Sequence, residues 1–129
     1  MRQEIVNYLK SLKLGSYKVS DELPFSNSNT VLYLKNVKTI YVDTEDYSTE
    51  EFIAVFNASI DSEVTTVRVF FANDAKKPPS DYNQVLNSIK GAKNLANANG
   101  YFRSAVDVTT SIEGDLNITE VEIRFTKLL

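Results

Sequence analysis

The stretch TTVRVFFA, residues 65–72, has the period of a strand: Val67, Val69 and Phe71 fall on one face of an extended chain, and Thr66, Arg68 and Phe70 on the other. The closing segment repeats the pattern, with Val121, Ile123 and Phe125 answering on one side and Glu120, Glu122, Arg124 and Thr126 outside. Segments that are apolar on one side and polar on the other belong in a sheet whose one face is covered and whose other face meets water. The rest of the chain must therefore supply the cover.

Two segments have the spacing to do so. Ile5, Val6, Leu9 and Leu12 recur at helical intervals between Arg2, Glu4, Asn7, Lys10 and Ser11, which predicts an amphipathic helix. Gly15 stands where a left-handed cap would end it, and Lys10 and Lys13 suit its negative end. Tyr82, Val85, Leu86, Ile89 and Leu95 form a second apolar stripe, with Ser80 as its N-cap, Asp81 at its positive end and Gly100 as its stop. Gly91 weakens the middle of that helix by about 1 kcal/mol of propensity.

The strands are bounded by turn chemistry. Val31–Leu34 and Val37–Asp43 are rich in branched and aromatic residues, and EEFIAVFNASI, residues 50–60, alternates as a strand. The polar link Asp61, Ser62 and Glu63 is expected to join it to TTVRVFFA as an antiparallel hairpin. Leu23 and Phe25 are expected to tuck onto the core from a polar connection. EGD, residues 113–115, turns a last hairpin in which Phe102, Val106, Val108 and Ile112 share a face. The expectation is one α+β domain over residues 1–129, with a mostly antiparallel sheet of about five strands and two helices on one face.

Composition narrows the chemistry. The chain has no histidine and no cysteine, which removes imidazole bases, thiolate nucleophiles, disulfides and the common zinc sites. Neither a phosphate-cradling GxxxxGKS loop nor a GxGxxG is present, and only four glycines are available. The expectation is a protein that is not an enzyme and takes no cofactor and no small-molecule substrate. A net charge of -3, with Lys10, Lys13 and Lys18, Lys35 and Lys38, and Lys76 and Lys77 scattered along the sequence, speaks against sequence-specific nucleic-acid binding. No apolar run approaches the roughly 18 to 20 residues of a membrane span, so the chain reads as soluble, without a membrane partner.

The densest group of ionisable side chains is acidic. Asp43, Glu45, Asp46, Glu50 and Glu51 stand within DTEDYSTEE, residues 43–51, and read as a surface bend between strands. Carboxylates in such number are the hard oxygen donors of calcium and magnesium sites, but their spacing lacks the central glycine and closing glutamate of a calcium loop. The seven tyrosines offer contact area to protein partners, or rims to the core.

The order of these elements resembles that of the tail terminator, or tail-completion, proteins of long-tailed bacteriophages: an N-terminal amphipathic helix, the VLYL strand, the hairpin ending in VRVFFA, a proline-broken loop into DYNQVLNSI and the closing hairpin GYFRSAVDVTTSIEGDLNITEVEIRF. The likeness runs over nearly the whole chain. It implies a virion structural protein, made in the host cytoplasm. Such a protein self-associates into a homo-hexameric ring on the tail tube protein, ends tube growth and joins the tail to the head-side connector. Ring contacts would use strand edges, and the acidic residues would line a lumen and repel DNA. The alternative is a small acidic protein-binding inhibitor, such as a phage-encoded anti-defence protein.

Overall fold

The computed structural model describes residues 1–15, 17–20, 38–53, 59–77 and 79–129. In chain order the elements are α1 (Arg2–Ser11), β1 (Lys18–Ser20), β2 (Thr39–Val42), β3 (Asp46–Ile53), β4 (Ser59–Asp74), α2 (Tyr82–Lys90), a 3-10 turn (Gly91–Asn94), α3 (Leu95–Ala98), β5 (Arg103–Glu113) and β6 (Leu116–Leu128). The expected strand Val31–Leu34, the contacts of Leu23 and Phe25, and the stretch 54–58 lie outside the described residues.

The fold is α+β. Six strands form one mixed, mostly antiparallel sheet in the order β1-β2-β4-β6-β5, with β3 also paired to β4. The sole parallel pairing among the described strands is β1 with β2. β2 and β3 occupy the same edge of β4 in succession: Tyr41 and Val42 pair with Phe70 and Val69, and Asp46 through Ile53 pair with Thr66 back to Ser59. They are thus one strand line broken at residues 43–45.

The alternation seen in the sequence survives intact. Val67, Val69, Phe71, Val121, Ile123 and Phe125 are fully buried on the face that the helices cover, together with Ile40 and Val42. Ile5, Val6 and Leu9 of α1, then Val85 and Ile89 of α2 and Ala92 and Ala96 beyond it, close over them. At roughly 25 cal/mol per Å² of apolar surface, burial of such side chains contributes about 1.5 to 3 kcal/mol each. Aromatic pairs fill the corners: Phe71 lies 5.5 Å from Tyr82 and Phe125 lies 5.8 Å from Tyr101, centre to centre. Tyr82 also meets the buried Thr119 hydroxyl at 3.0 Å.

Several local expectations are corrected. Asp61, Ser62 and Glu63 are not a turn but lie inside β4, because β3 pairs along all three and β6 reaches them, with Ser62 opposite Leu128 and Glu63 opposite Lys127. Cross-strand pairing on both sides outweighs the turn tendency of three polar residues. At the second helix the N-cap is Asp81 and not Ser80, and no side chain caps it. α1 ends one turn early: Leu12 is its C-cap, and the first left-handed residue is Lys13, at φ 49°, ahead of Gly15 at 59°. Leu12 is consequently 40% exposed instead of joining the apolar stripe.

Gly91 has a tertiary reason. A Cβ built there would stand 2.5 Å from the Tyr8 hydroxyl, so the glycine lets α1 approach the 3-10 turn that follows α2. The last hairpin turns through Gly114 and Asp115, with Glu113 opposite Leu116. Gly114 has φ 61° while Asp115 does not, the pattern of a type II′ turn with glycine first.

Candidate interaction surface

The acidic stretch is not one bend. It is a three-residue corner followed by a strand, and the period of two splits its carboxylates between surfaces. Asp43 and Glu45, at the corner, are spent on holding the fold together. Asp43 Oδ1 accepts from the Thr44 backbone N–H at 2.7 Å and from the Tyr41 hydroxyl at 3.2 Å, while its carbonyl accepts from Arg2 Nε at 2.8 Å. Glu45 Oε2 accepts from the Met1 amino group and from the Arg2 backbone N–H, each at 3.1 Å. A carboxylate from the corner thereby satisfies donors at the positive end of α1, which lacks a side-chain cap of its own.

Asp46 and Glu50 share the open face of the sheet with their cross-strand neighbours. Asp46 pairs with Arg68, whose Nε also lies 3.5 Å from both Glu120 and Glu122. Glu50 receives Arg124 Nη2 at 3.1 Å. The guanidinium of Arg68 is held above its ordinary range first by the hydrogen bond to Asp46, against the opposing effect of burial. Two arginines so placed take up much of the open face's negative charge.

Glu51 points the other way and lies directly opposite Asp61, with Glu63 two residues on. No ion pair involves Glu51 or Asp61 among the described residues. This unpaired couple of acids at the end of the β3–β4 ladder was not visible in the sequence, where Asp61 read as part of a turn. Its signal would have been the register. Tyr47, on the same face, is 62% exposed.

Tyr41 behaves differently. It is 5% exposed and stacks on Phe70 at 6.2 Å. Burial, then the neighbouring Asp43 carboxylate, pushes its hydroxyl up to about 12. Of the other described tyrosines, Tyr17 belongs to the buried core, and Tyr8, Tyr82 and Tyr101 pack on its rim.

The lysines are less scattered in space than in sequence. Lys38, Lys76 and Lys77 line one cleft of about 590 Å³ beside Tyr17, whose ring centre lies 5.7 Å from the Lys38 ammonium. Asp74 and Asp115 stand in the same wall, and Asp74 Oδ1 accepts from the Lys76 backbone N–H at 2.8 Å, so the cleft is no concentrated positive field.

No three acidic side chains among the described residues form a group able to hold a metal ion, and no described helix is long and apolar enough to cross a membrane. What the surface does offer is strand edge. β5 closes one flank of the sheet with eleven residues, and β3 lines part of the other with eight. Val108 is 41% and Ile112 71% exposed on the helix side, because the helices stop short of β5. Of the expected apolar face of β5, Val106 alone packs on the core, and Phe102 just before it is 53% exposed. The sequence matches no protein-family model, and no curated protein is similar to it.

Proposed function

We propose that the chain is a structural subunit of a long-tailed phage virion that forms a ring of six copies on the tail tube, ends its growth and joins it to the head-side connector. One observation carries the reading: the sheet has an uncovered strand edge on each flank, β5 and β3, among the described residues. Each of the pairings β3–β4, β4–β6 and β6–β5 is antiparallel, so β3 and β5 run in opposite directions. A neighbour brought alongside by rotation about a ring axis presents its β3 antiparallel to β5 and extends the sheet. Such a contact is head-to-tail and closes when the rotation divides the circle.

The acids serve this reading unequally. Asp43 and Glu45 dock α1, Asp46 and Glu50 hold arginines, and Glu63 stands opposite Lys127, which leaves Glu51 and Asp61 as the pair that would repel DNA phosphates from a lumen. The same pairing counts against an acidic inhibitor that mimics nucleic acid, because Arg68 and Arg124 interrupt the charge on the open face.

The test is to add the purified protein to growing tail tubes and image them by negative stain. Discs at the tube ends and arrested length are expected. Bare ends and unchanged length would remove the proposal.

A further inference from the structure

Natural sheets blunt their edge strands with lysine, proline, glycine bulges or a covering element. β5 has no lysine, proline or bulge, and no element among the described residues covers it. Its sequence RSAVDVTTSIE contains no lysine, proline or glycine, and its register with β6 runs unbroken from Arg103 to Glu113. Among the described residues no strand pairs with its outer edge.

The strand is also symmetric in a way that identifies what fits it. Val108 is its central residue, with five residues on either side. If a second β5 lies antiparallel across a two-fold axis at Val108, all eleven positions pair without overhang. Arg103 then comes opposite Glu113 of the second copy, at both ends of the ladder, and Asp107 comes opposite Thr109. On the helix side Val108 meets Val108, Val106 meets Thr110 and Ser104 meets Ile112, which covers the exposed Val108 and Ile112 side chains. A slip of two residues in one direction brings Asp107 opposite itself, a like-charge clash, and in the other direction it leaves Arg103 outside the ladder. Register and charge therefore agree on one arrangement.

We propose that two free copies of this chain pair β5 to β5 about Val108, making a continuous twelve-stranded sheet from two six-stranded ones. The contact is isologous and is distinct from the head-to-tail contact of a ring. It engages the same β5 edge, so a paired subunit has no β5 to offer a ring neighbour. Self-capping of this kind protects the edge and withholds the subunit from ring growth until a competing strand displaces its twin.

The absence of native cysteine makes the test clean. Sedimentation of the full chain over a concentration series should show the mass climbing from 14.5 kDa toward twice that value and no further. Under mild oxidation Val108→Cys should form a covalent dimer, because position 108 alone faces itself. Thr110→Cys should not, because it faces Val106. Glu113→Arg should weaken the dimer severalfold, and Arg103→Glu combined with Glu113→Arg should restore it, with unchanged circular dichroism throughout. A mass that stays at one copy up to the solubility limit, a mass above two copies, cross-linking of Thr110→Cys equal to that of Val108→Cys, or failure of the charge swap to restore pairing would each overturn the proposal. None of these outcomes bears on whether discs form on tube ends.

Discussion

The Glu45 carboxylate, in the corner between β2 and β3, accepts a hydrogen bond from the backbone N–H of Arg2 at 3.1 Å. A residue of the corner between two strands thus does the work that an N-cap side chain does in most helices. Replacing Glu45 with Ala should lower stability by about 1 kcal/mol, the range of a lost cap on an exposed helix end. Glu45→Gln, which keeps an acceptor but not the charge, should lose roughly half as much. Urea unfolding checks both, with the midpoint shifting and the slope unchanged.

Tyr41 carries part of the protein's alkaline stability. Its hydroxyl titrates at about 12 in the folded protein, against 10 ordinarily. A raised folded value means that its contribution is complete below pH 10 and is lost as pH rises from 10 toward 12. The loss is at most about 2 to 3 kcal/mol for a shift of that size. Tyr41→Phe should flatten that part of the stability curve while changing little near neutrality. Urea midpoints measured at about pH 9 and about pH 11.5 make the comparison.

Gly91 and Tyr8 should be coupled. In a helical position, Gly→Ala alone stabilises by about 1 kcal/mol. Here the new methyl meets the Tyr8 hydroxyl at 2.5 Å, so Gly91→Ala should be neutral or destabilising. With Tyr8→Phe in place the same substitution should recover most of the propensity gain. A double-mutant cycle by thermal unfolding reads the interaction directly, and additivity of the two changes would refute it.

Arg68 faces three carboxylates, Asp46, Glu120 and Glu122, with a third of its side chain exposed. Arg68→Met should cost about 1 to 2 kcal/mol at low salt, as exposed pairs contribute at most about 1 kcal/mol each. The acids left behind repel one another, and salt screens that repulsion, so the cost should shrink in molar sodium chloride. Arg124→Met, which frees Glu50 alone, should cost less.

How far the sequence could be read depended on the range of the interactions. The apolar period of α1 named Ile5, Val6 and Leu9, and the alternation of β4 and β6 named six fully buried residues, because local spacing alone decides which side chains share a face. The turn at Gly114 and Asp115 was legible for the same reason. The turn expected at Asp61–Glu63 failed because β3 pairs along those residues and β6 reaches them from more than sixty positions away.

The acidic stretch shows the same division most plainly. Local composition could say that Asp43, Glu45, Asp46, Glu50 and Glu51 would lie at a surface, and they do. Their partners, Arg2, Arg68 and Arg124, stand 43, 22 and 74 positions away. The period of two sets Glu51 apart from Asp46 and Glu50, but nothing within the stretch says which acids dock a helix, which hold an arginine and which remain bare.

By itself, then, the order of residues determined which stripe of each element is apolar, and hence that helices must cover one side of an antiparallel sheet. The folded arrangement decided where strands stop, which charges are neutralised and which edge is left open. Side-chain periodicity is written into neighbours along the chain, whereas strand register and ion pairing are settled by groups that meet only after folding.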